Sequence, residues 1–221
     1  MQNKASFVAI AWPETLVIQE GKWYDTPMKW LGLIKNGYYQ AGHAAFVLVN
    51  HEKNVFEYYD FGRYHTPFKQ GRVRSAQTDP ELTIRTKPMI SDDKIVNLEE
   101  MLVELQSNDA CHGDGKLFAS ILYDIDLQKA ENFIKKLQDL DSLPYGPLKM
   151  GGTNCSRFVC QTARKATRNP VIKVLLALPY TFSATPMFNV RVINSTSRIH
   201  VVQGENMNSI GRLIINWSKN L

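Results

Sequence analysis

The chain mixes two patterns of hydrophobic and polar positions. Strand-length runs are dense in apolar residues and end at polar breaks, whereas other segments repeat apolar positions every three or four residues, as helices do. The strand-like runs are residues 7–17 with a break at Pro13, 43–49, 55–61, 82–84, 118–125, 189–194, 199–202 and 213–217. Helical spacing follows Ser91 and Asp126, both suited to cap a helix, and begins again after Thr153 or Asn154. The mixture predicts an α+β fold.

Residues 43–61 form the clearest local unit. Two apolar runs, 43–49 and 55–61, flank the polar segment Asn50-His51-Glu52-Lys53-Asn54. This spacing predicts an antiparallel hairpin with a loop of four or five residues. His43, preceded by a glycine, opens the first strand, so it lies beside the far half of the second strand.

Cys155 stands in the segment Gly151-Gly152-Thr153-Asn154-Cys155-Ser156-Arg157-Phe158-Val159. The glycines predict a turn, and Thr153 or Asn154 can cap a helix that begins at the cysteine. Unpaired N–H groups and the positive end of the helix dipole stabilise a thiolate in the first turn. A thiolate attacks carbonyl carbon, so Cys155 is a candidate nucleophile, although free cysteines are also common in cores.

His43 is the candidate base, and a base of this kind needs a partner that fixes its tautomer. Three polar residues on the neighbouring strand can serve: Glu57, Tyr59 and Asp60. Glu57 and Asp60 are three positions apart, so an extended strand directs them to opposite faces. Only one of them can share a face with His43 unless a bulge interrupts the strand.

These pieces resemble the permuted branch of the NlpC-type papain-like cysteine hydrolases, which includes YiiX/YaeF-type amidases and lecithin:retinol acyltransferase-like proteins. The matching segments are residues 42–47, 55–57 and 154–159, with the histidine strand before the cysteine helix. The resemblance implies a papain-like α+β fold, with an antiparallel sheet packed against the nucleophile helix. It also favours Glu57 as the third catalytic residue, with Asp60 and then Tyr59 as alternates. We expect one domain over residues 1–221, or one with a small C-terminal extension over 170–221.

The implied function is a thiol hydrolase that cleaves an amide in a peptide or a cell-wall-like fragment. The Cys155 N–H would donate to the oxyanion, with Tyr145 or Asn154 as the second donor. A lipid acyltransferase or thioesterase could use the same dyad, and the aromatic segment 23–39 could then line a groove for an acyl chain. A catalytically silent binding module on this fold is the third hypothesis.

The composition of the chain limits the classes of ligand and partner that we expect it to bind. Of 221 residues, 44% are hydrophobic and 21% charged, with a net charge of +5, which is typical of an ordinary globular protein. The densest basic group is Arg63, Lys69, Arg72 and Arg74, which could bind phosphate or an acidic substrate, though a solvated basic loop is the simpler interpretation. We expect no metal, cofactor, nucleic acid or membrane-spanning segment. Three cysteines do not suggest a disulfide framework. Without a signal peptide the expected location is the cytoplasm, and a location outside it is the alternative if a signal peptide has been removed. The oligomeric state stays open.

Overall fold

A computed structural model of the chain describes residues 4–18, 34–35, 38–39, 42–146, 151–178, 184–204 and 206–211. The strands within these ranges are β1 (Ala5–Trp12), β2 (Val17–Ile18), β3 (Ile34–Lys35), β4 (Tyr38–Tyr39), β5 (His43–Asn50), β6 (Val55–Gly62), β7 (Gln70–Ser75), β8 (Ile90–Ser91), β9 (Lys94–Ile95), β10 (Leu117–Tyr123), β11 (Leu143–Pro144), β12 (Arg198–Gln203) and β13 (Asn206–Gly211). The α-helices are α1 (Leu98–Gln106), α2 (Leu127–Gln138), α3 (Cys155–Ala166), α4 (Pro170–Leu175) and α5 (Pro186–Val192).

The main sheet has eight strands among the described residues, in the order β11-β7-β6-β5-β1-β10-β12-β13. The strand pairs described in it are all antiparallel. β12, which belongs to the predicted C-terminal extension, pairs with β10 of this sheet. The α+β architecture, with an antiparallel sheet packed against the Cys155 helix, is therefore confirmed.

The central strands carry apolar side chains on both faces, since both faces are covered. Ala44, Phe46 and Leu48 of β5 face a core that includes α2, α3 and α5, whereas Ala45 and Val47 face a second core built on α1. Burial on both sides explains why residues 43–49 read as a continuous apolar run instead of an alternating one.

Helix α3 packs against the β5–β6 hairpin, as the sequence predicts. Its Phe158 is fully buried and lies 5.3 Å from Phe46 and 6.1 Å from Phe61 between ring centroids. Burial of one such aromatic side chain stabilises the fold by about 1.5–3 kcal/mol. This packing fixes the helix N-terminus, and with it Cys155, at the beginning of β5.

Two predicted helix caps are confirmed. The Asp126 side chain accepts a hydrogen bond from the Lys129 N–H at the start of α2. The Asn154 side chain accepts one from the Arg157 N–H at 2.8 Å at the start of α3. Each oxygen satisfies a backbone donor that the first turn of a helix leaves unpaired.

Three sequence predictions are wrong. The helix expected after Ser91 begins only at Leu98, because Ser91 belongs to the short β8–β9 hairpin. Residues 82–84 are not a strand, since Pro80–Leu82 form a 3₁₀ turn. Residues 189–194 lie largely in α5, where Thr185 caps the helix and Pro186 occupies its first turn.

Two other predictions lie outside the described residues in whole or in part. The predicted strand 213–217 is wholly outside them, and of the aromatic segment 23–39 only the backbone of 34–35 and 38–39 is described. Across the part of the chain that the structure describes, no helix is long and apolar enough to cross a membrane.

Candidate active site

Cys155 is the first residue of α3 and lies beside the beginning of β5. It is 7% exposed, and its thiol group receives hydrogen bonds from the Ala44 backbone N–H and from the His43 side chain. The capping by Asn154 and the packing of Phe158 position this end of the helix. The sulfur therefore lies in the first turn of a helix and in contact with an imidazole.

His43 is the first residue of β5 and joins Cys155 to an acidic residue. Its Nε2 lies 3.0 Å from Asp60 Oδ2, which leaves Nδ1 as the nitrogen for the thiol. Its ring stacks on Trp12, with centroids 5.9 Å apart. Gly42 precedes it with φ +70°, and a Cβ there would lie 2.9 Å from the Trp12 carbonyl oxygen, so this position requires glycine. The imidazole is thus contacted by the Asp60 carboxylate, the Trp12 ring and the Cys155 thiol.

Asp60 is fully buried, and its carboxylate accepts hydrogen bonds from several donors. Arg74 donates from Nε to Oδ1 at 2.9 Å and from Nη2 to Oδ2 at 2.5 Å, a bidentate ion pair. The Tyr58 hydroxyl donates to Oδ2 at 3.0 Å. Arg74 is itself 2% exposed and donates from Nη1 to the Ala110 carbonyl oxygen. A carboxylate held this firmly can orient the imidazole.

The charges of the three residues support one another. Burial alone would raise the pKa of Cys155, but the hydrogen bond and positive charge of His43 outweigh burial and lower it. Burial likewise opposes charge on His43, yet hydrogen bonds with Asp60 and Cys155 raise its pKa to about 9. The pKa of Asp60 falls to about 2 despite burial, because His43 and Arg74 stabilise its charged form. Near neutral pH the arrangement favours a thiolate–imidazolium pair beside an ionised aspartate.

The structure corrects the predicted strand register. β5 pairs Leu48 with Glu57 and Ala45 with Asp60, so Glu57 lies on the face opposite His43. Glu57 is half-buried and hydrogen-bonds with Tyr59, far from the imidazole along the hairpin. Tyr59 stacks on Phe46 in the core at 5.5 Å and also shares the Glu57 face. Of the three expected partners, only Asp60, the first alternate, meets His43.

The two candidate oxyanion donors differ in position. The Tyr145 hydroxyl donates to Cys155 Sγ at 3.8 Å and accepts a hydrogen bond from the Cys155 backbone N–H. It therefore lies beside the Cys155 N–H, next to the space in which an oxyanion formed on this sulfur would be bound. The Asn154 side-chain oxygen instead caps α3. The geometry brings Tyr145 to the sulfur of the candidate nucleophile and gives Asn154 a structural role.

The other two cysteines lack this environment. Burial raises the pKa of Cys111 to about 12 and that of Cys160 to about 11. Cys160 lies within α3, beyond its first turn, and its thiol donates to the Leu176 carbonyl oxygen at 3.3 Å. Only Cys155, among the three, has a lowered thiol pKa.

Sequence reasoning missed the roles of Trp12 and Arg74. The sequence analysis identifies Arg74 only as one member of a basic group, because it interprets residues 63–74 as a solvated loop. The alternation Arg72-Val73-Arg74-Ser75 was the available signal, since it is typical of a strand with one buried face. β7 indeed pairs with β6 and places Arg74 opposite Asp60.

Two comparisons with known proteins, one by sequence family and one by structure, both find type VI secretion system effectors of the TseH kind. Residues 7–172, about three quarters of the chain, match the model of a family described as "Type VI secretion system effector TseH-like". A crystal structure of the type VI secretion system effector TseH is similar in fold, with a TM-score of 0.57 and 18% sequence identity. The match covers 95% of this chain and 99% of that chain, and at this identity it concerns the fold alone. No curated protein sequence matches the chain.

Proposed function

The chain belongs to the TseH-like family of type VI secretion system effectors, and on this premise we propose that it is a thiol hydrolase that cleaves an amide bond. The observation that carries the proposal is the position of the His43 imidazole, which hydrogen-bonds with Asp60 at 3.0 Å and lies close enough to the Cys155 thiol to lower its pKa. A nucleophile, a base and a group that orients the base are the three parts that acyl transfer requires.

In the proposed reaction the Cys155 thiolate attacks the amide carbonyl carbon and forms a tetrahedral intermediate. The Cys155 N–H and the Tyr145 hydroxyl donate to its oxyanion. The His43 imidazolium gives its proton to the leaving nitrogen, the C–N bond breaks and an amine departs, which leaves a thioester. His43 then takes a proton from water, the resulting hydroxide attacks the thioester, and the proton passes to the departing sulfur. The products are a carboxylic acid and the free enzyme.

The order of the elements supports a permuted papain-like enzyme of the NlpC type, since the histidine strand β5 precedes the cysteine helix α3. We propose a peptide or cell-wall-like fragment as substrate, in line with the amidases that the sequence resembles. Cleavage adds one molecule of water and creates one amine, which mass spectrometry of incubated peptides or cell-wall fragments detects. Cys155→Ser, which keeps the size of the side chain, should yield no product.

Iodoacetamide should alkylate Cys155 at least about 100-fold faster than Cys160 at pH 7. A thiol with a pKa of about 11 is ionised in about one molecule in ten thousand at that pH, and only thiolates react. The pKa of Cys155 is lowered instead. Peptide mapping over time measures the alkylation rate of each cysteine across pH 5–10. In His43→Gln the curve of Cys155 alkylation rate against pH should move to higher pH, because the imidazolium that stabilises the thiolate is lost.

Cys111 serves as the second internal control, since its thiol is buried with a pKa of about 12. Equal rates at the three cysteines of the folded protein, or a Cys155 profile that His43→Gln does not move, would contradict Cys155 as the nucleophile.

Tyr145→Phe should lower kcat by about 10²- to 10³-fold, which is the usual effect of removing one oxyanion donor. KM should change little, because the hydroxyl acts on the charge that develops in the transition state. Alkylation of Cys155 by iodoacetamide forms no oxyanion, so its rate should fall only through the lost hydrogen bond to the sulfur, far less than kcat falls.

Tyr64→Phe is the matched control for this experiment. Tyr64 lines the same cleft as Tyr145, but its ring stacks on His112 at 4.0 Å. It should keep wild-type turnover. If Tyr145→Phe also keeps wild-type turnover, the oxyanion has a different second donor.

A further inference from the structure

Helix α4 and the turn after it carry the densest group of exposed apolar side chains in the described part of the chain. Ten large hydrophobic residues of that part are exposed, and four of them lie within residues 171–178. These four, which we call the apolar stripe, are Val171 at 63%, Val174 at 62%, Leu175 at 37% and Leu178 at 64% exposed. Single exposed apolar residues are normal, but a contiguous group marks an interaction site.

The apolar stripe lies on one side of α4, and a different side already packs on the protein. The spacing i, i+3, i+4 and i+7 places the four side chains next to one another on a helical surface. Ile172 and Leu176 point elsewhere and are buried in the core shared with α3. The Leu176 carbonyl oxygen also accepts a hydrogen bond from the Cys160 thiol at 3.3 Å. The helix is therefore fixed to α3 and leaves a second apolar side in solvent.

The chain around the apolar stripe is positively charged. Residues 142–204 contain eight lysines and arginines and no aspartate or glutamate, whereas acidic residues outnumber basic ones in the rest of the chain. Between residues 165 and 178 the basic side chains are Lys165, Arg168 and Lys173, all exposed. Arg168 pairs with Asp124 at 3.6 Å. The two lysines therefore add net positive charge to this part of the surface.

An anionic phospholipid bilayer matches both properties of this surface. The boundary between headgroups and acyl chains accepts apolar side chains, and anionic headgroups attract lysine and arginine. A second copy of the chain would bring the same positive charges against these, so charge opposes self-association through this side. The phosphate backbone of a nucleic acid would leave the apolar stripe in water.

We propose that α4 is a docking surface for an anionic lipid bilayer, with the apolar stripe inserted at the level of the headgroups. Cys155 begins α3, and α4 follows the end of that helix. The twelve residues of α3, a length of about 18 Å, therefore separate the lipid contact from the sulfur. The proposal goes beyond the proposed hydrolase activity and does not depend on it.

The test is co-sedimentation of the full chain with sucrose-loaded vesicles. One set contains phosphatidylcholine alone, and the other contains about 30% phosphatidylglycerol as the anionic lipid. At about 0.05 M salt the protein should bind the anionic vesicles at least about tenfold more tightly than the neutral ones. Raising the salt to about 0.5 M should remove most of this difference, because the Debye length falls to a few ångströms.

Val174→Ser removes one side chain of the apolar stripe and should weaken binding to the anionic vesicles about fivefold, since less apolar surface is buried. Val96→Ser is the matched control, because Val96 is 59% exposed and follows β9, whose Ile95 belongs to the core on the other face of the sheet. It should leave binding unchanged. Both valines are exposed, so thermal unfolding should show equal stability in the two variants.

A second pair of variants tests the charge. Lys173→Gln should weaken binding to the anionic vesicles about threefold and should leave binding to the neutral ones unchanged. Lys94→Gln makes the same change in net charge at an exposed position of β9 and should keep wild-type binding within about twofold.

The outcomes decide between lipid and protein as the occupant. No binding to either vesicle, equal binding to both, or an equal loss in Val174→Ser and Val96→Ser overturns the proposal. Sedimentation velocity without lipid adds a further check. A dimer that Val174→Ser dissociates would assign the apolar stripe to a second copy of the chain and would also overturn lipid docking. Alkylation of Cys155, measured on the same proteins, tests the proposed nucleophile separately.

Discussion

Asp60→Asn should lower turnover by about 10³- to 10⁴-fold, whereas Glu57→Gln should leave it within a few-fold of the wild type. The Asp60 carboxylate accepts a hydrogen bond from His43 Nε2–H, which leaves Nδ1 as the nitrogen that accepts the thiol proton. An asparagine can turn its NH₂ group toward Nε2, which favours the other tautomer and blocks Nδ1. Loss of tautomer control has an effect of about this size in catalytic triads.

The comparison with Glu57 makes the experiment specific. Both substitutions replace a carboxylate by its amide on the same strand, three residues apart. Glu57 lies opposite Leu48, on the other face of the hairpin from His43. Burial and the nearby Glu131 raise its pKa, so removing its charge should not harm the fold.

Asp60→Asn also leaves Arg74 without its counter-charge, so stability must be measured beside activity. Turnover is compared at a temperature at which circular dichroism shows both variants fully folded. Activity retained in folded Asp60→Asn would mean that another group orients His43. Loss in Glu57→Gln alone would show that the acid acts from the other face and that the proposed triad is wrong.

The register of this hairpin shows where prediction from sequence ends. The apolar runs and the polar break fix the hairpin itself, but a loop of four residues or of five fits them equally well. The loop of four, residues 51–54, pairs Asn50 with Val55 and places Asp60 on the His43 face. One more loop residue would have moved Glu57 there, because a shift of one reverses the faces of a strand.

Sequence patterns predicted the start of the Cys155 helix correctly, because it depends on residues that are neighbours in the sequence. Cys155 and its cap lie within a few residues of each other, and the helix begins where the sequence predicts. The helix expected after Ser91 failed, because Asp92 and Asp93 adopt positive φ in a hairpin turn, and Asn97 occupies the N-cap position of α1 instead. The pairing of Arg74 with Asp60 depends on how β6 meets β7, which no local pattern encodes.

Arg74→Met should lower the free energy of unfolding by about 3–5 kcal/mol, the usual cost of breaking a buried ion pair from one side. Methionine fills much of the space of the arginine stem but leaves Asp60 with His43 as its remaining cationic partner. Arg72→Met is the matched control: the same residue type on the same strand, also paired with an aspartate, but 17% exposed. It should cost less, about 1.5–3 kcal/mol, because Arg72 is partly solvated and the Thr78 hydroxyl still donates to the Asp79 carboxylate after the substitution.

The dependence on pH distinguishes a lost charge from lost packing. The pKa of Asp60 is lowered to about 2 in the folded protein, below its ordinary value of about 3.9 when unfolded. Its contribution to stability is therefore fully present above about pH 4 and is lost as the pH falls toward 2. Without Arg74 the folded pKa should rise, so the acid limb of the stability curve should move to higher pH. Lost packing alone would lower the curve equally at every pH.

The double variant Asp60→Asn, Arg74→Met completes the experiment. Removing both charges avoids a buried charge without a partner, so the double variant should be more stable than Arg74→Met alone. Urea unfolding between pH 2 and 8 measures the wild type, Asp60→Asn, Arg74→Met, the double variant and the control Arg72→Met. A uniform loss in Arg74→Met, with no shift of the acid limb and no recovery in the double variant, would mean that Arg74 contributes packing and does not hold Asp60 ionised for His43.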